Sequence, residues 1–160
     1  MKKRYYPSQK DFTCKHCGNW VSVNPILSGV SNRNHCPYCL WSRHLDLFAA
    51  GDRMSACKGG MKPIGLTIKR QRKKYGSFLQ GELMLIHHCI ECGTVSINRL
   101  AADDDADLLL SVYQYSLNLD GEIYRKLARI GVVLMGKEER FLIFQRITGN
   151  RIAYENEMFT

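Results

Sequence analysis

Nowhere does the chain hold a run of about 18 apolar residues, so no transmembrane helix is expected. Its start, Met1-Lys2-Lys3-Arg4-Tyr5-Tyr6-Pro7, is basic, but no apolar stretch follows, which argues against a secretory signal. Acidic residues are scarce in the first 74 positions, which carry 3 Asp/Glu against 15 Lys/Arg, a balance of +12. The remaining residues carry 12 against 8, a balance of −4, so the net charge of +8 is strongly polarised along the chain. Cysteine and histidine are absent after residue 92. There is no low-complexity segment, and no internal repeat beyond a recurring Cys-x-x-Cys unit. The 7 cysteines are an odd number that cannot pair completely within one chain. Together with the missing signal this suggests a reducing cytoplasm, where cysteines serve metal or redox chemistry more readily than disulfides.

With 45% hydrophobic and 24% charged residues, the 160-residue composition is that of a folded protein, long enough for one domain or two small ones. The expected class is α+β: a zinc-stabilised module of β-hairpins, similar to zinc ribbons, followed by a small helical and β extension. Residues 1–10 read as a basic arm, 11–105 as the two-zinc module and 106–160 as the extension. Strands are expected before Cys14 and after Gly18, over residues 82–87 and over Thr94 to Ile97, and a short helix or turn over Leu40 to Leu47. The densest charge run, Lys69-Arg70-Gln71-Arg72-Lys73-Lys74, reads as an exposed loop or hairpin. Asp103-Asp104-Asp105 suits the start of a helix, where carboxylates offset the positive end of the dipole. Helices are expected over Leu108 to Leu119 and residues 122–136, and a hairpin pairing Phe141–Thr148 with Arg151–Tyr154 across Gly149-Asn150.

Cys-x-x-Cys pairs stand at 14/17, 36/39 and 89/92. Zinc takes four ligands in a tetrahedron, and two thiolates three apart on a tight turn fill two corners at once. Gly18 and Gly93, directly after two of these pairs, permit the left-handed backbone such a turn needs. Cys14, Cys17, Cys36, Cys39, Cys57, Cys89 and Cys92 leave one ligand short of two complete sites. His44 is taken as the eighth, because Cys36-x2-Cys39-x4-His44 repeats the opening spacing of compact zinc knuckles. His16, His35, His87 and His88 remain competitors. In the pairing adopted, Cys36, Cys39, His44 and Cys57 form one site, and Cys14, Cys17, Cys89 and Cys92 the other. The rival joins 14/17 to 36/39 and leaves Cys57, Cys89, Cys92 and a histidine for the second ion. Cys57 also has a plain alternative, a small buried apolar residue.

Arg33-Asn34-His35-Cys36-Pro37, followed by Cys39-Leu40-x-Ser42-x-His44-x-Asp46, resembles the bacterial RNHCP domain family. The likeness continues through Gly51-Asp52-Arg53, Cys57-x-Gly59-x-Met61-x-Pro63-Ile64, and His88-Cys89-x-x-Cys92-Gly93 to Asn98-Arg99. Asp103-Asp104 looks like the family's closing acidic pair. The resemblance covers about residues 11–105 and implies a small metal-binding domain without implying an activity. The basic run and the tail after 105 lie outside it.

The basic half points to nucleic acid, structured RNA such as ribosomal RNA in particular, and to a ribosome-associated role. Lysine and arginine neutralise phosphates and release counterions, which gives salt-dependent affinity. Lys2, Lys3, Arg4, Arg33, Arg43, Lys69, Arg70, Arg72, Lys73 and Lys74 are the candidate contacts. Tyr5, Tyr6, Tyr38 and the tryptophans are candidates for base stacking, although Trp20 and Trp41 read as core residues. The alternative is a protein-interaction adaptor that docks through residues 106–160, with Leu108, Leu109, Leu110, Phe141, Phe144 and Met158 as contacts. A third class is a metal-dependent nuclease or thiol redox protein. Seven thiolates favour closed sites over catalytic ones, yet His35, His87 and His88 with Asp103 to Asp105 contain the groups for a hydrolytic centre. The expectation is therefore no enzyme, no membrane partner and two structural zinc ions.

Overall fold

The computed structural model describes residues 10–47, 52–69 and 76–149. Two antiparallel sheets carry the cysteines. In the smaller, β1 (Phe12–Thr13) pairs with β2 (Trp20–Val21), with Phe12 opposite Val21. The larger is a meander of β3 (Ser42–Arg43), β4 (Gly60–Lys69), β5 (Glu82–Cys89) and β6 (Val95–Arg99), in that spatial order. The segment read as a short helix or turn over Leu40 to Leu47 thus contains a strand, β3. A one-turn helix, α1 (Pro25–Ser28), lies between the sheets in sequence, with proline in its first turn and the Asn24 side chain accepting from the Ile26 N–H.

β4 is the longest strand, and sequence punctuation hides it. Gly60, Pro63 and Gly65 all read as breaks, yet each has a positional reason. The register slips between Pro63 and Gly65, so the proline sits at a bulge. A Cβ on Gly65 would lie 2.5 Å from Leu134 Cδ1 and 3.1 Å from Ser116 Cβ, so only glycine lets those neighbours approach.

Both faces of the sheet are covered. Leu66 pairs with Leu85 and Ile68 with Leu83, and these four share one face with Leu40, Leu109, Tyr113, Met135 and Ile143. Ile86, cross-paired with Ile97, packs on the other face with Ile64 and Leu127. The covering residues come mostly from α2 (Ala106–Ser116), α3 (Gly121–Arg129) and α4 (Arg140–Thr148). The described part of the C-terminal segment therefore completes the core of the metal-bearing sheet. Beyond β3 the edge of β4 is closed by the segment after α3. The Met135 N–H donates to the Leu66 carbonyl at 2.9 Å, and the Thr67 hydroxyl to the Val133 carbonyl at 2.7 Å.

Helix α2 starts where the acidic run ends, with Asp105 accepting from the Leu108 N–H. The expected strand over Phe141–Thr148 is instead α4. Gly149 has φ +67° and donates its N–H to the Gln145 carbonyl at 2.8 Å, so it ends a helix and does not turn a hairpin. Residues 150–160, and with them Arg151–Tyr154 and Met158, lie outside the described residues. No helix among the described residues is long and apolar enough to cross a membrane.

Candidate metal centres

Three turns built on Cys14-x-x-Cys17, Cys36-x-x-Cys39 and Cys89-x-x-Cys92 share one backbone pattern. The residue after the second cysteine returns its N–H to the first cysteine's carbonyl: Gly18 to Cys14 at 2.9 Å, Leu40 to Cys36 at 2.8 Å and Gly93 to Cys89 at 3.0 Å. The first cysteine's N–H donates to the residue five further on: Asn19, Trp41 and Thr94, at 2.8, 2.9 and 2.8 Å. Closing such a turn requires a left-handed residue. Gly18 and Gly93 supply it with φ +78° each, and Leu40 adopts φ +64°. A leucine pays about 1–2 kcal/mol in this region, and burying its side chain returns about 1.5–3 kcal/mol. Leu40 is fully buried in the main core, so packing offsets the strain.

The turns converge in pairs. Cys14, Cys17, Cys36 and Cys39 form one cluster, and His44, Cys57, Cys89 and Cys92 the other, with all ligand atoms of a cluster within 4.8 Å of one another. The adopted pairing is therefore corrected: 14/17 joins 36/39, and His44 joins Cys57, Cys89 and Cys92. The reason is β3. Its two residues pass from the Cys36–Cys39 turn to the start of β4, where the His44 N–H donates to the Gly59 carbonyl at 2.8 Å. That places His44 at the end of β5 carrying Cys89, away from the turn that precedes it.

The donor sets fit zinc. Sγ–Sγ distances are 3.6 Å for Cys14–Cys39, 3.6 Å for Cys17–Cys36 and 3.7 Å for Cys57–Cys89. A tetrahedron with Zn–S of about 2.3 Å has an edge of about 3.8 Å, whereas a disulfide is about 2.05 Å long. Cys92 Sγ lies 3.2 Å from His44 Nδ1, which identifies the imidazole nitrogen that faces the metal. Two structural zinc ions are thus accommodated, one by four thiolates and one by three thiolates and an imidazole.

Cys92 receives the Thr94 hydroxyl at 3.2 Å, and the Thr94 side chain and N–H bring its thiol down to about 6. Burial pushes Cys36 the other way, to about 11. A divalent ion supplies the positive charge that lets buried thiols ionise side by side.

Behind the clusters lies a buried polar framework. Arg33 is 1% exposed and grips Asp103 with two bonds of 2.8 Å. His35 Nε2 bonds Asp104 at 2.8 Å, and the Asp104 side chain is fully buried. Asn34 donates to Asp46 at 3.1 Å, and its carbonyl accepts from the Ser42 hydroxyl at 2.6 Å. The Arg-Asn-His string thus clamps the second turn to the acidic pair 70 residues away. His87 donates from Nε2 to the Leu40 carbonyl at 2.7 Å and accepts at Nδ1 from Asn98 at 2.8 Å. Burial and the nearby His35 hold it down at about 3, so it stays neutral, as this bonding requires. Lys126 of α3 donates to the Gly93 carbonyl and so ties the helical segment to the third turn.

Several expected positions change. Arg33 is not a nucleic-acid contact: it is 1% exposed, and its guanidinium is consumed by the Asp103 carboxylate and the His35 carbonyl. Trp20 is no core residue, being 61% exposed. His35 and His87 face one another across the core while His88 lies in the adjacent position of β5, and no third group of metal-type ligands forms among the described residues. Arg43 lies on β3, half-buried, and Lys69 is exposed at the end of β4. Lys2, Lys3, Arg4, Tyr5, Tyr6, Arg70, Arg72, Lys73 and Lys74 lie outside the described residues.

Sequence reading passed over a cleft between the two centres, with a volume of about 310 Å³. In it His16, from the first turn, stacks on Trp41 with ring centroids 4.0 Å apart and planes 6° from parallel. Lys15, Arg43 and Lys58 line it, and Ile90 of the third turn forms its far wall. The available signal was only that Lys15 and His16 lie inside a knuckle and Lys58 follows Cys57.

Comparison with curated proteins and with solved structures gives no match. The RNHCP domain model, in contrast, matches residues 9–110, a span that holds both clusters and the clamped Arg33-Asn34-His35 string together with its Asp103-Asp104 partners. On that match, over more than half its length, the chain belongs to the RNHCP domain family.

Proposed function

We propose that the protein binds nucleic acid, structured RNA such as ribosomal RNA in particular, through the basic and aromatic cleft between its metal centres. The observation that carries this reading is the His16–Trp41 stack flanked by Lys15, Arg43 and Lys58. Recognition of RNA commonly uses unpaired bases splayed onto aromatic faces, with cations along the phosphates. The charge balance of +12 over residues 1–74 supports the same reading, because the first five cysteines lie in that half. Loaded with two zinc ions the chain gains four positive charges and loses seven protons, which leaves a net charge of +5 from the bare +8. Four protein ligands per ion leave no open coordination position, so the metals act here as braces that fix the angle between the turns.

The adaptor reading through residues 106–160 draws less support. Leu109 and Phe144 are buried, and Leu108 and Leu110 pack against the same core.

The triple variant Lys15→Gln, Arg43→Gln, Lys58→Gln tests the proposal. It is expected to keep both zinc ions and to lower the slope of log affinity against log salt by about 2–3, since each lost phosphate contact removes about 0.7–0.9. An unchanged slope in the zinc-loaded variant removes the cleft from the account.

A further inference from the structure

The cleft opens onto a strip of the larger sheet. Side chains alternate along a strand, so residues paired across strands form rows on one face. One row is Arg43–Gly60–Ile90, and all three residues line the cleft. The next row on that face, about 7 Å along the strands, is Lys62–His88–Val95. The row after it, Ile86 and Ile97 with Ile64, is covered by Leu127 of α3. The strip therefore ends at α3, where Lys126 precedes Leu127.

We infer that this strip carries the RNA out of the cleft: one single strand runs from the His16–Trp41 stack over Lys62 and His88 to Lys126. The inference rests on the RNA reading above and gives the bound strand its path.

The cations of the strip converge. Lys126 donates to the Gly93 carbonyl. A Cβ on Gly93 would lie 2.9 Å from Lys126 Nζ and 3.9 Å from His88 Nε2, so the ammonium and the imidazole meet at the third turn. Lys62 is the cross-strand partner of His88. Its ammonium is held 4.9 Å from the Tyr115 ring centroid and 3.4 Å from the Tyr115 hydroxyl. Neither lysine pairs with a carboxylate among the described residues. An ammonium has three donors, and each lysine spends one on a neutral acceptor. The others are left for an anion.

Balancing the charge of the metal centre is the simpler use for these lysines. In the second centre three thiolates against a divalent ion leave −1. One lysine offsets that, and the other is in excess. Cations that continue from a stacking platform follow the plan of single-strand grooves, where basic side chains track the backbone and aromatic rings take the bases. The cleft, of about 310 Å³, has room for unpaired bases and not for a duplex.

The zinc-loaded full chain is titrated over a range of salt with single-stranded RNA of about 12 nucleotides, a length within the reach of single-strand grooves. One strand is expected per chain. The double variant Lys62→Gln, Lys126→Gln should lower the slope of log affinity against log salt by about 1.4, at about 0.7 per single-strand phosphate contact. Lys62→Arg, Lys126→Arg should keep the parent slope. Lys137→Gln, Arg140→Gln removes the same charge from exposed positions at the start of α4, whose Ile143 packs on the opposite face, and should leave the slope unchanged. Should the loss of Lys126 displace zinc, Lys62→Gln alone carries the test with a fall of about 0.7. An unchanged slope in the zinc-loaded lysine variant overturns the path and leaves the RNA reading standing. So do equal falls in the two charge-removal variants, or two strands per chain. Absence of binding to this strand and to structured RNA in the unaltered protein overturns the RNA reading and this inference with it.

Discussion

Cys89→Ser should release one zinc ion and lower the melting temperature far more than Cys14→Ser, although each removes one thiolate. Structural zinc sites contribute apparent free energies of about 10–16 kcal/mol at neutral pH in small peptides, comparable to or above the whole stability of an ordinary domain, about 5–15 kcal/mol. The two sites differ in what they brace. Cys14 belongs to a small satellite cluster with Val21 and Cys36. Cys89 is fully buried at the end of β5, the strand that pairs with both β4 and β6. Losing its site frees the Cys57 segment, the His44 end of β3 and the third turn together. For Cys89→Ser a fall of at least about 10 °C is expected, since roughly 2–4 °C accompanies each kcal/mol at this chain length. Cys14→Ser should leave the melt of the larger sheet nearly intact and loosen β1 and β2. Metal content by mass spectrometry, read beside thermal unfolding, checks both. Equal losses in the two variants would mean that the sites act as one cooperative unit.

Arg33→Met and Asp104→Ala are each expected to cost about 3–5 kcal/mol, the usual price of breaking one side of a buried ion pair. Arg33 lies between its bidentate partner Asp103 and Asp104 at 3.8 Å, and Asp104 also holds His35 and the Ala101 N–H. Truncating either leaves charge buried without its partner. Arg33→Lys should rescue little, because an ammonium cannot make the two parallel bonds of a guanidinium. The double change Arg33→Met, Asp103→Leu should recover part of the loss, since Asp103 retains 34% side-chain exposure and tolerates replacement. Denaturant unfolding of the zinc-loaded proteins measures each term. The opposite pattern, stability unchanged and RNA affinity reduced, would return Arg33 to the surface contacts where its position in a basic sequence had placed it.

The metal ligands are legible in the sequence because a Cys-x-x-Cys-Gly turn is local: spacing and one glycine encode it. Their pairing is not, because it depends on where β3 sends the chain after Cys39. The second turn also conceals its likeness to the others, for Leu40 fills the place of glycine and is kept there by burial. β4 escapes sequence reading since Gly60, Pro63 and Gly65 signal breaks, and their reasons lie in a bulge and in the approach of Leu134 and Ser116. The misread α4 has the same origin. Phe141 to Thr148 is rich in β-favouring residues, and the Gly149 that suggests a turn is a helix cap. Charge alone misplaced Arg33, as sequence shows a basic residue but not its distant carboxylates. The aspartates at 103–105 divide their work likewise: two clamp the signature string, and the third caps α2.

The central claim is that eight side chains close two separate tetrahedral sites, one of four sulfurs and one of three sulfurs with His44 Nδ1. Cadmium-113 NMR of the cadmium-substituted protein, repeated on His44→Ala, addresses it directly. Two resonances are expected, one in the range of four thiolates and one of three thiolates with a nitrogen, and His44→Ala should shift only the second. A single resonance, or a shift of both on removing His44, would contradict the account.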